Sequence, residues 1–266
     1  DRQGVPVAID ITGKEGKHKL TDNSNFFCLG PSGSGKSFHM NSVVRQLHEH
    51  GTDVVIVDTG NSYEGLCEYL GGKYISYTEE KPITMNPFNI TKAELNIEKI
   101  DFLKNLILLI WKGSDSKISE LEFRIIEQIV TDYYDAYFHG FGGYDPVQRE
   151  TLRKTLTAAE KRRGTWSVEE MEILGEKIDA KIKLLEERRK ALTVALLSFN
   201  TFYEYSCERL ELICLENNIT EIDYDKYSYM IQPFYKGGNY DKILNENVDT
   251  TLFSETFIVF EVDAIK

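Results

Sequence analysis

One loop constrains this chain more than any other feature of its sequence. Residues 30–37 read Gly-Pro-Ser-Gly-Ser-Gly-Lys-Ser and match the pattern GxxxxGK[ST] at every fixed position. The apolar residues 26–29 before the loop predict a short strand, and residues 38–48 after it, which contain neither Pro nor Gly, predict a helix. A strand, this loop and a helix in that order are the context in which the pattern binds phosphate.

The residue types of the loop indicate how a phosphate would be held. Glycines let the backbone curl so that its N–H groups point inward around an anion, and the helix that follows directs its positive end at the same point. Lys36 is predicted to reach the β- and γ-phosphates, and Ser37 is predicted to ligate Mg²⁺. A chance Gly/Ser turn is the alternative, which the complete pattern disfavours. The sequence therefore predicts a nucleoside triphosphate with Mg²⁺ as cofactor, bound by Gly30, Pro31, Ser32, Gly33, Ser34, Gly35, Lys36, Ser37 and Phe38.

Hydrolysis also needs an acidic residue near the metal, and Asp58 is the first candidate. It ends the apolar run 54–58, which is predicted to be the next strand of a βαβ unit. Its carboxylate would then lie at the carboxyl edge of the sheet, where such folds bind ligands. The alternative is that Asp58 caps the turn formed by residues 59–62. We interpret Lys36 and Asp58 as the candidate catalytic pair.

A second apolar run, residues 257–263, also ends in acidic residues. It contains Glu261 and ends in Asp263, but no Asp-Glu pair follows an apolar run anywhere in the chain. The hydrolytic half of the site therefore looks incomplete. If the chain nevertheless hydrolyses nucleotide, Asp58 or Glu261 would be the catalytic acid.

Composition excludes several classes of protein. The formal net charge of −12 argues against a broadly cationic nucleic-acid surface. The compact basic cluster 161–163 is typical of a solvated helix end, with a nucleic-acid channel contact as the alternative. No apolar stretch approaches the ~18 residues of a membrane span. The cysteines lack metal-ligand spacing and are predicted to be reduced and mostly buried: Cys28, Cys67, Cys207 and Cys214.

The hydrophobic pattern predicts an α/β chain whose sheet core is interrupted by a block of helices. Strands are predicted at 5–11, 26–29, 54–58, 74–77 and 257–263. Helix starts are predicted at Thr91 with Glu94, near Ile118, at Asp145 with Pro146, and at Ser167 with Glu170. The last of these helices is predicted to run to Phe199, with Met171, Ile178, Leu185 and Leu192 buried against the helices at 97–111 and 118–139. Short strands and turns are predicted after residue 218. We therefore predict a sheet core at 1–90, a helical insertion at 91–218 and a return to the core at 219–266.

Five segments of the chain together resemble a known family. They are GPSGSGKSFHMNSVVRQ, DVVIVDTGNSYEGL, ITMNPFN, YKGGNYDKIL and LFSETFIVFEVDAIK. In this order they resemble the TraG family of conjugative transposons, the large motor ATPases of type IV secretion systems, which are related to the HerA/FtsK translocases. The resemblance covers practically the whole chain and implies a P-loop NTPase with a RecA-like sheet core and a large all-helical insertion.

The resemblance also implies an activity and partners. It implies that ATP hydrolysis powers pilus assembly or substrate transfer. The whole protein would assemble as a homo-hexamer and dock with other type IV secretion components, cytoplasmic and peripheral to the inner membrane. A nucleotide-binding assembly module without turnover, or a DNA-pumping coupling ATPase of the same superfamily, are the alternatives.

One departure from the family pattern affects the expected activity. In the family, the Walker B strand follows the counterpart of residues 257–263, where this sequence ends. The chain is therefore expected to be the N-terminal part of a motor domain, truncated before Walker B. We expect it to bind Mg–nucleotide with little more than background hydrolysis.

Overall fold

The computed structural model describes residues 25–76, 84–140, 142–164, 166–247 and 254–262. These residues fall into two compact units, one within Asp1–Tyr77 and Thr251–Lys266 and the other within Thr78–Thr250. We call them the sheet unit and the helical unit. The predicted strand at 5–11 and Asp263 lie outside the described residues.

A small parallel sheet with two helices forms the described part of the sheet unit. Its elements are α1 (Lys36–Glu49), β1 (Val54–Asp58), α2 (Glu64–Tyr69), β2 (Lys73–Ser76) and β3 (Phe257–Glu261). The strand order is β1-β3-β2, and β3 pairs in parallel with both neighbours. The register aligns Asp58 and Ser76 with Glu261, so three polar residues end the strands side by side at the carboxyl edge.

Apolar side chains between the strands and helices form the core of the sheet unit. Val54, Cys67, Phe257 and Val259 are buried there. Val44 of α1 and Leu66 of α2 pack against them. The alternation of β1 places Val55 and Val57 on the opposite, exposed face. One face of this sheet is therefore covered by helices.

The predicted strand at residues 26–29 is wrong. The described chain has no strand there, and Phe27 and Leu29 are 86% and 84% exposed. Cys28 is also exposed, contrary to the burial predicted for it, whereas Cys67 and Cys214 are buried. The physical reason is that a strand requires a hydrogen-bonded neighbour, and among the described residues only β1, β2 and β3 pair with one another.

The helical unit is built from six α-helices and a short 3-10 helix in its described part. They are α3 (Ile97–Lys112), α4 (Glu120–His139), α5 (Pro146–Lys161), α6 (Val168–Ala191), α7 (Phe199–Asn217), α8 (Tyr224–Ile231) and the 3-10 helix Gln232–Phe234. Helix α3 packs on α4 and α8, and α7 packs on α4, α5, α6 and α8. Aromatic rings fill much of the shared core, with Tyr133 and Phe202 in edge-on contact at 5.3 Å between ring centroids.

Capping residues fix where most of these helices begin. Asp145 and Ser167 form complete capping boxes at the starts of α5 and α6, as predicted. The helix start predicted at Thr91 is wrong. Glu94 accepts the backbone N–H of Thr91, but these residues close a turn, and α3 begins later, behind the N-cap Asn96.

The long fourth helix predicted from the sequence is in fact two helices. Helix α6 ends at Ala191, and α7 begins at Phe199 behind Ser198, whose side chain caps it. Between them, the Tyr133 hydroxyl accepts the Ser198 backbone N–H at 3.2 Å, and Asn86 donates to the Leu197 carbonyl at 2.9 Å. Tertiary hydrogen bonds here replace the helical ones that the apolar spacing predicted.

The apolar stripe of α6 is largely buried, but its predicted packing partners are wrong. Ile178, Leu185 and Leu192 are buried and Met171 is partly buried. The principal neighbours of α6 are α5 and α7, rather than the helices at 97–111 and 118–139.

The segment after residue 218 also differs from its prediction. Described residues 219–247 contain α8, the 3-10 helix and turns, without a strand. Tyr227 and Leu244 are buried in the core of the helical unit. The unit boundaries at residues 77/78 and 250/251 therefore differ from the predicted ones at 90/91 and 218/219. Among the helices in the described ranges, none combines the length and the apolar composition needed to cross a bilayer.

Candidate phosphate-binding site

The loop at residues 30–37 forms a turn that leads directly into α1. Gly33 and Gly35 have φ angles of +77° and +86°, which a residue with a Cβ rarely adopts. The Ser34 backbone N–H donates to the Pro31 carbonyl at 3.2 Å and closes the turn. A Cβ at Gly30 would lie 2.5 Å from the Ser34 hydroxyl oxygen, which can rotate away, and 3.3 Å from Cγ of Lys36. The positive φ angles of Gly33 and Gly35 therefore set the shape of the loop, which we call the cradle.

At the start of α1, no side chain accepts the backbone N–H groups of the first turn as a cap. Its N-cap is Gly35, which makes no side-chain cap hydrogen bond, and no acidic residue occupies the first turn. Helices α3 to α8 differ, since each has an Asn, Ser or Asp side chain that accepts a first-turn N–H. Because the N-terminus of a helix favours negative charge, α1 suits an external anion.

Lys36 lies at the mouth of this cradle. Its Nζ donates to the carbonyl oxygens of Gly30 at 2.6 Å and Pro31 at 3.0 Å. The ammonium group is therefore held beside the loop backbone by weak, neutral acceptors, from which a phosphate could recruit it. Charge-assisted bonds between ammonium and phosphate are stronger than those to a carbonyl.

Asp58 lies at the carboxyl edge of the sheet, where the sequence predicts it. Its Oδ2 accepts the Ser62 backbone N–H at 2.6 Å. This hydrogen bond corresponds to the turn-capping alternative for Asp58. A catalytic role for Asp58 stays a prediction.

Glu261 lies beside Asp58 and is 5% exposed. Its carboxylate accepts the backbone N–H groups of Gly60 at 3.2 Å and Asn61 at 2.8 Å. The Tyr74 hydroxyl donates to Asn61 Oδ1 at 2.7 Å and lies 3.5 Å from Glu261 Oε2. Burial and the nearby Glu261 carboxylate raise the pKa of Tyr74 to about 12, so the phenol remains a donor at neutral pH.

Asn41 is a residue of this site that sequence reasoning missed. It lies one turn after Ser37 on α1, and its Nδ2 donates to the carbonyl oxygens of Ser37 at 2.9 Å and Ser62 at 3.0 Å. The only signal in the sequence was that Asn41 lies one helical turn after Ser37 in the predicted helix. The spacing alone could not identify Ser62 as its partner, since the two residues are 21 positions apart.

A divalent cation at this site would depend on the loop and the nucleotide. Among the described residues, no group of three His, Cys, Asp or Glu side chains is arranged to hold a metal ion. Mg²⁺ is commonly bound through one or two protein oxygens together with substrate phosphates and water. Ser37, at the exposed start of α1, fits that mode of binding.

Two curated relatives match parts of the chain. Protein TraC of Escherichia coli (strain K12) is 33% identical over 79 residues, which cover 29% of this chain and 9% of TraC. Type IV secretion system protein virB4 of Bartonella henselae is 28% identical over 109 residues, which cover 41% of this chain and 14% of that protein. The chain therefore spans a small part of the length of these relatives.

A solved structure and a family model extend the comparison to the whole chain. The structure of VirB4 of Thermoanaerobacter pseudethanolicus aligns with a TM-score of 0.54 at 19% identity, covering 100% of this chain and 56% of that one. This likeness shows a shared fold. The model of the TraG P-loop domain matches residues 1–141 and 137–266. This chain belongs to the TraG P-loop domain family.

Proposed function

We propose that this chain binds ATP with Mg²⁺ and forms the nucleotide-binding part of a motor ATPase of type IV secretion or conjugation. The observation that carries the proposal is the loop at residues 30–37, in which Gly33 and Gly35 have positive φ angles and Lys36 Nζ donates to the Gly30 carbonyl at 2.6 Å. Family membership, and the names of the TraC and VirB4 relatives, support the link to secretion.

The proposal gives each loop residue a task. The backbone N–H groups of residues 30–38, apart from Pro31, which has none, surround the phosphates. Lys36 Nζ moves from the loop carbonyls to the β- and γ-phosphates, and Ser37 holds Mg²⁺. The bound Mg²⁺ would neutralise phosphate charge. Asp58 is proposed as the acid near the metal.

The whole protein is proposed to follow its family in architecture and assembly. The three parallel strands would belong to a RecA-like core that the helical unit interrupts in the sequence. The partners would be other type IV secretion components at the cytoplasmic face of the inner membrane, and the assembly a homo-hexamer.

Titration of Mg–ATP into the chain by calorimetry tests the nucleotide site. Lys36→Ala should weaken binding by about 1.5–3 kcal/mol, the scale of a hydrogen bond to a charged group. The matched control is Lys117→Ala, which removes the same charge from an exposed position in the helical unit and should bind as the wild type does. Equal affinity of the Lys36→Ala variant and the wild type would refute the nucleotide site.

The second candidate is a nucleotide-binding assembly module without turnover. The hydrogen bonds that the Asp58 and Glu261 carboxylates accept favour it. Asp58 and Glu261 both accept backbone N–H groups of the turn after β1. Steady-state phosphate release by the whole protein, with Lys36→Ala as the blank, separates the candidates. Release at the level of the blank supports the module. Robust release that the blank lacks supports the motor, and the same release by residues 1–266 alone would overturn the truncation and make Asp58 or Glu261 the acid.

A further inference from the structure

Glu261 is a buried carboxylate that accepts hydrogen bonds from the backbone of the turn after β1. It ends β3, the central strand of the described sheet, and is 5% exposed. Burying a carboxylate is costly unless its oxygens accept hydrogen bonds. Two successive N–H groups, of Gly60 and Asn61, provide them at 3.2 and 2.8 Å. The carboxylate thus occupies a small concave arrangement of backbone donors of the kind that binds anions.

The turn that Glu261 holds is fixed from several sides. Asn61 has a φ of +53°, which is uncommon for a residue other than glycine. Its backbone N–H is bound by Glu261, and its side chain accepts from Tyr74 of β2. Asp58 binds the next N–H, that of Ser62. Groups from all three strands therefore determine the position of residues 59–62.

One side chain joins this turn to the helix that begins at the phosphate-binding loop. Asn41 Nδ2 donates to the Ser62 carbonyl in the turn and to the Ser37 carbonyl in the first turn of α1. A displacement of the turn would break the first of these bonds or move Asn41 with it. Glu261 is thus connected to the predicted Mg²⁺ ligand Ser37 through the turn at residues 59–62 and the side-chain amide of Asn41.

The geometry points to Glu261 as a positioning residue for nucleotide turnover, acting through the turn at residues 59–62 and Asn41 on the first turn of α1. This inference rests on the proposed Mg–ATP site. Glu261 touches neither the loop nor the phosphates in this arrangement. Its effect is on the placement of groups that do, and small errors in placement reduce reaction rates steeply.

The test uses Glu261→Gln in the whole protein, because Gln has a similar shape but turns an NH₂ group toward backbone donors. We expect kcat for ATP hydrolysis to fall by about ten- to a hundredfold. The Kd for Mg–ATP, measured with a fluorescent analogue, should change by less than about threefold, because the loop and Lys36 are intact. The matched control is Glu68→Gln, an exposed position on α2 with the same change of charge, which should leave both quantities unchanged.

A second variant keeps the inference testable if Glu261→Gln folds poorly. Asn41→Ala leaves β3 unaltered and should lower kcat in the same way, and the double variant should lose no more than the stronger single variant, since both act on one path. Wild-type kcat in either single variant overturns the inference. So does a loss of kcat in Asn41→Ala that parallels its loss of folded protein in a melting experiment.

The same preparation separates this inference from the proposed function. If Lys36→Ala binds Mg–ATP as the wild type does, the nucleotide site itself is wrong, and the inference falls with it. If Lys36→Ala loses binding while Glu261→Gln retains full turnover, the nucleotide site stands and only the role of Glu261 is overturned.

Discussion

At the scale of single residues, the glycines of the sheet unit differ in whether the sequence alone predicts the need for them. Gly30 and Gly35 were predictable from the sequence, because the pattern fixes both positions as glycine. Gly72 was not, because the need for it arises from β3, which lies far along the chain. A Cβ at Gly72 would lie 2.6 Å from the Phe257 carbonyl oxygen, a backbone atom that cannot rotate away.

Gly72→Ala should therefore destabilise the sheet unit by about 1–3 kcal/mol, the usual cost of overpacking. Hydrogen exchange of the β3 amides, read by mass spectrometry, reports this unit separately from the helical one. Gly65→Ala is the matched control, because a Cβ at that exposed helical position meets no atom within 4 Å. It should be neutral or stabilising by up to about 1 kcal/mol. Equal protection of β3 in the two variants would contradict the close approach.

At the scale of elements, local chemistry predicted the starts of α5 and α6 correctly, but not the start of α3 or the end of α6. Asp145 with Pro146, and Ser167 with Glu170, identify the starts of α5 and α6, since a capping residue acts within one turn. The break after α6 depends on Tyr133 and Asn86, which are distant in sequence, so apolar spacing could not reveal it. The same limit explains the error at residues 26–29, where strand formation depends on a pairing partner rather than on local composition.

The cap of α6 should depend on pH in a direction set by Glu170. The backbone N–H of Ser167, which its carboxylate accepts, holds the pKa of Glu170 below its usual value. A carboxyl with a lowered folded-state pKa contributes stability that is fully present above its unfolded pKa of about 4.3 and is lost as pH falls through the folded value.

Comparison of the wild type with Glu170→Ala between pH 7 and pH 3 measures this contribution. Protection of the first-turn amides of α6 should be greater in the wild type at neutral pH, and the difference should narrow below about pH 4.3. Glu169→Ala, in the same helical turn but outside the capping box, controls for helix-dipole effects. A difference that is constant across this range would show that the charged form of Glu170 contributes nothing to the cap.

At the scale of the whole molecule, the two units differ in the size of their cores. Four buried apolar residues form the described core of the sheet unit, namely Val54, Cys67, Phe257 and Val259. The helical unit has a far larger core, in which Tyr133, Tyr134, Phe199 and Phe202 are fully buried. Regions with few buried apolar contacts open at lower free energy. The sheet unit, which carries the candidate site, should therefore be the less stable of the two.

Nucleotide binding should therefore stabilise the sheet unit. A ligand that binds only the folded state stabilises it by RT ln(1 + [L]/Kd), about 2.7 kcal/mol at a hundred times Kd. With saturating Mg–ATP, hydrogen exchange should slow in α1, in β1 and in the turn at residues 59–62, which Asn41 connects to α1. Helices α4 and α7, buried in a separate core, should exchange at unchanged rates. At the same nucleotide concentration, Lys36→Ala should reduce the slowing while leaving exchange without nucleotide as in the wild type. Slowing that is equal in α4, α7 and α1 would mean that the two units open as one, and that the small core of the sheet unit does not limit its stability.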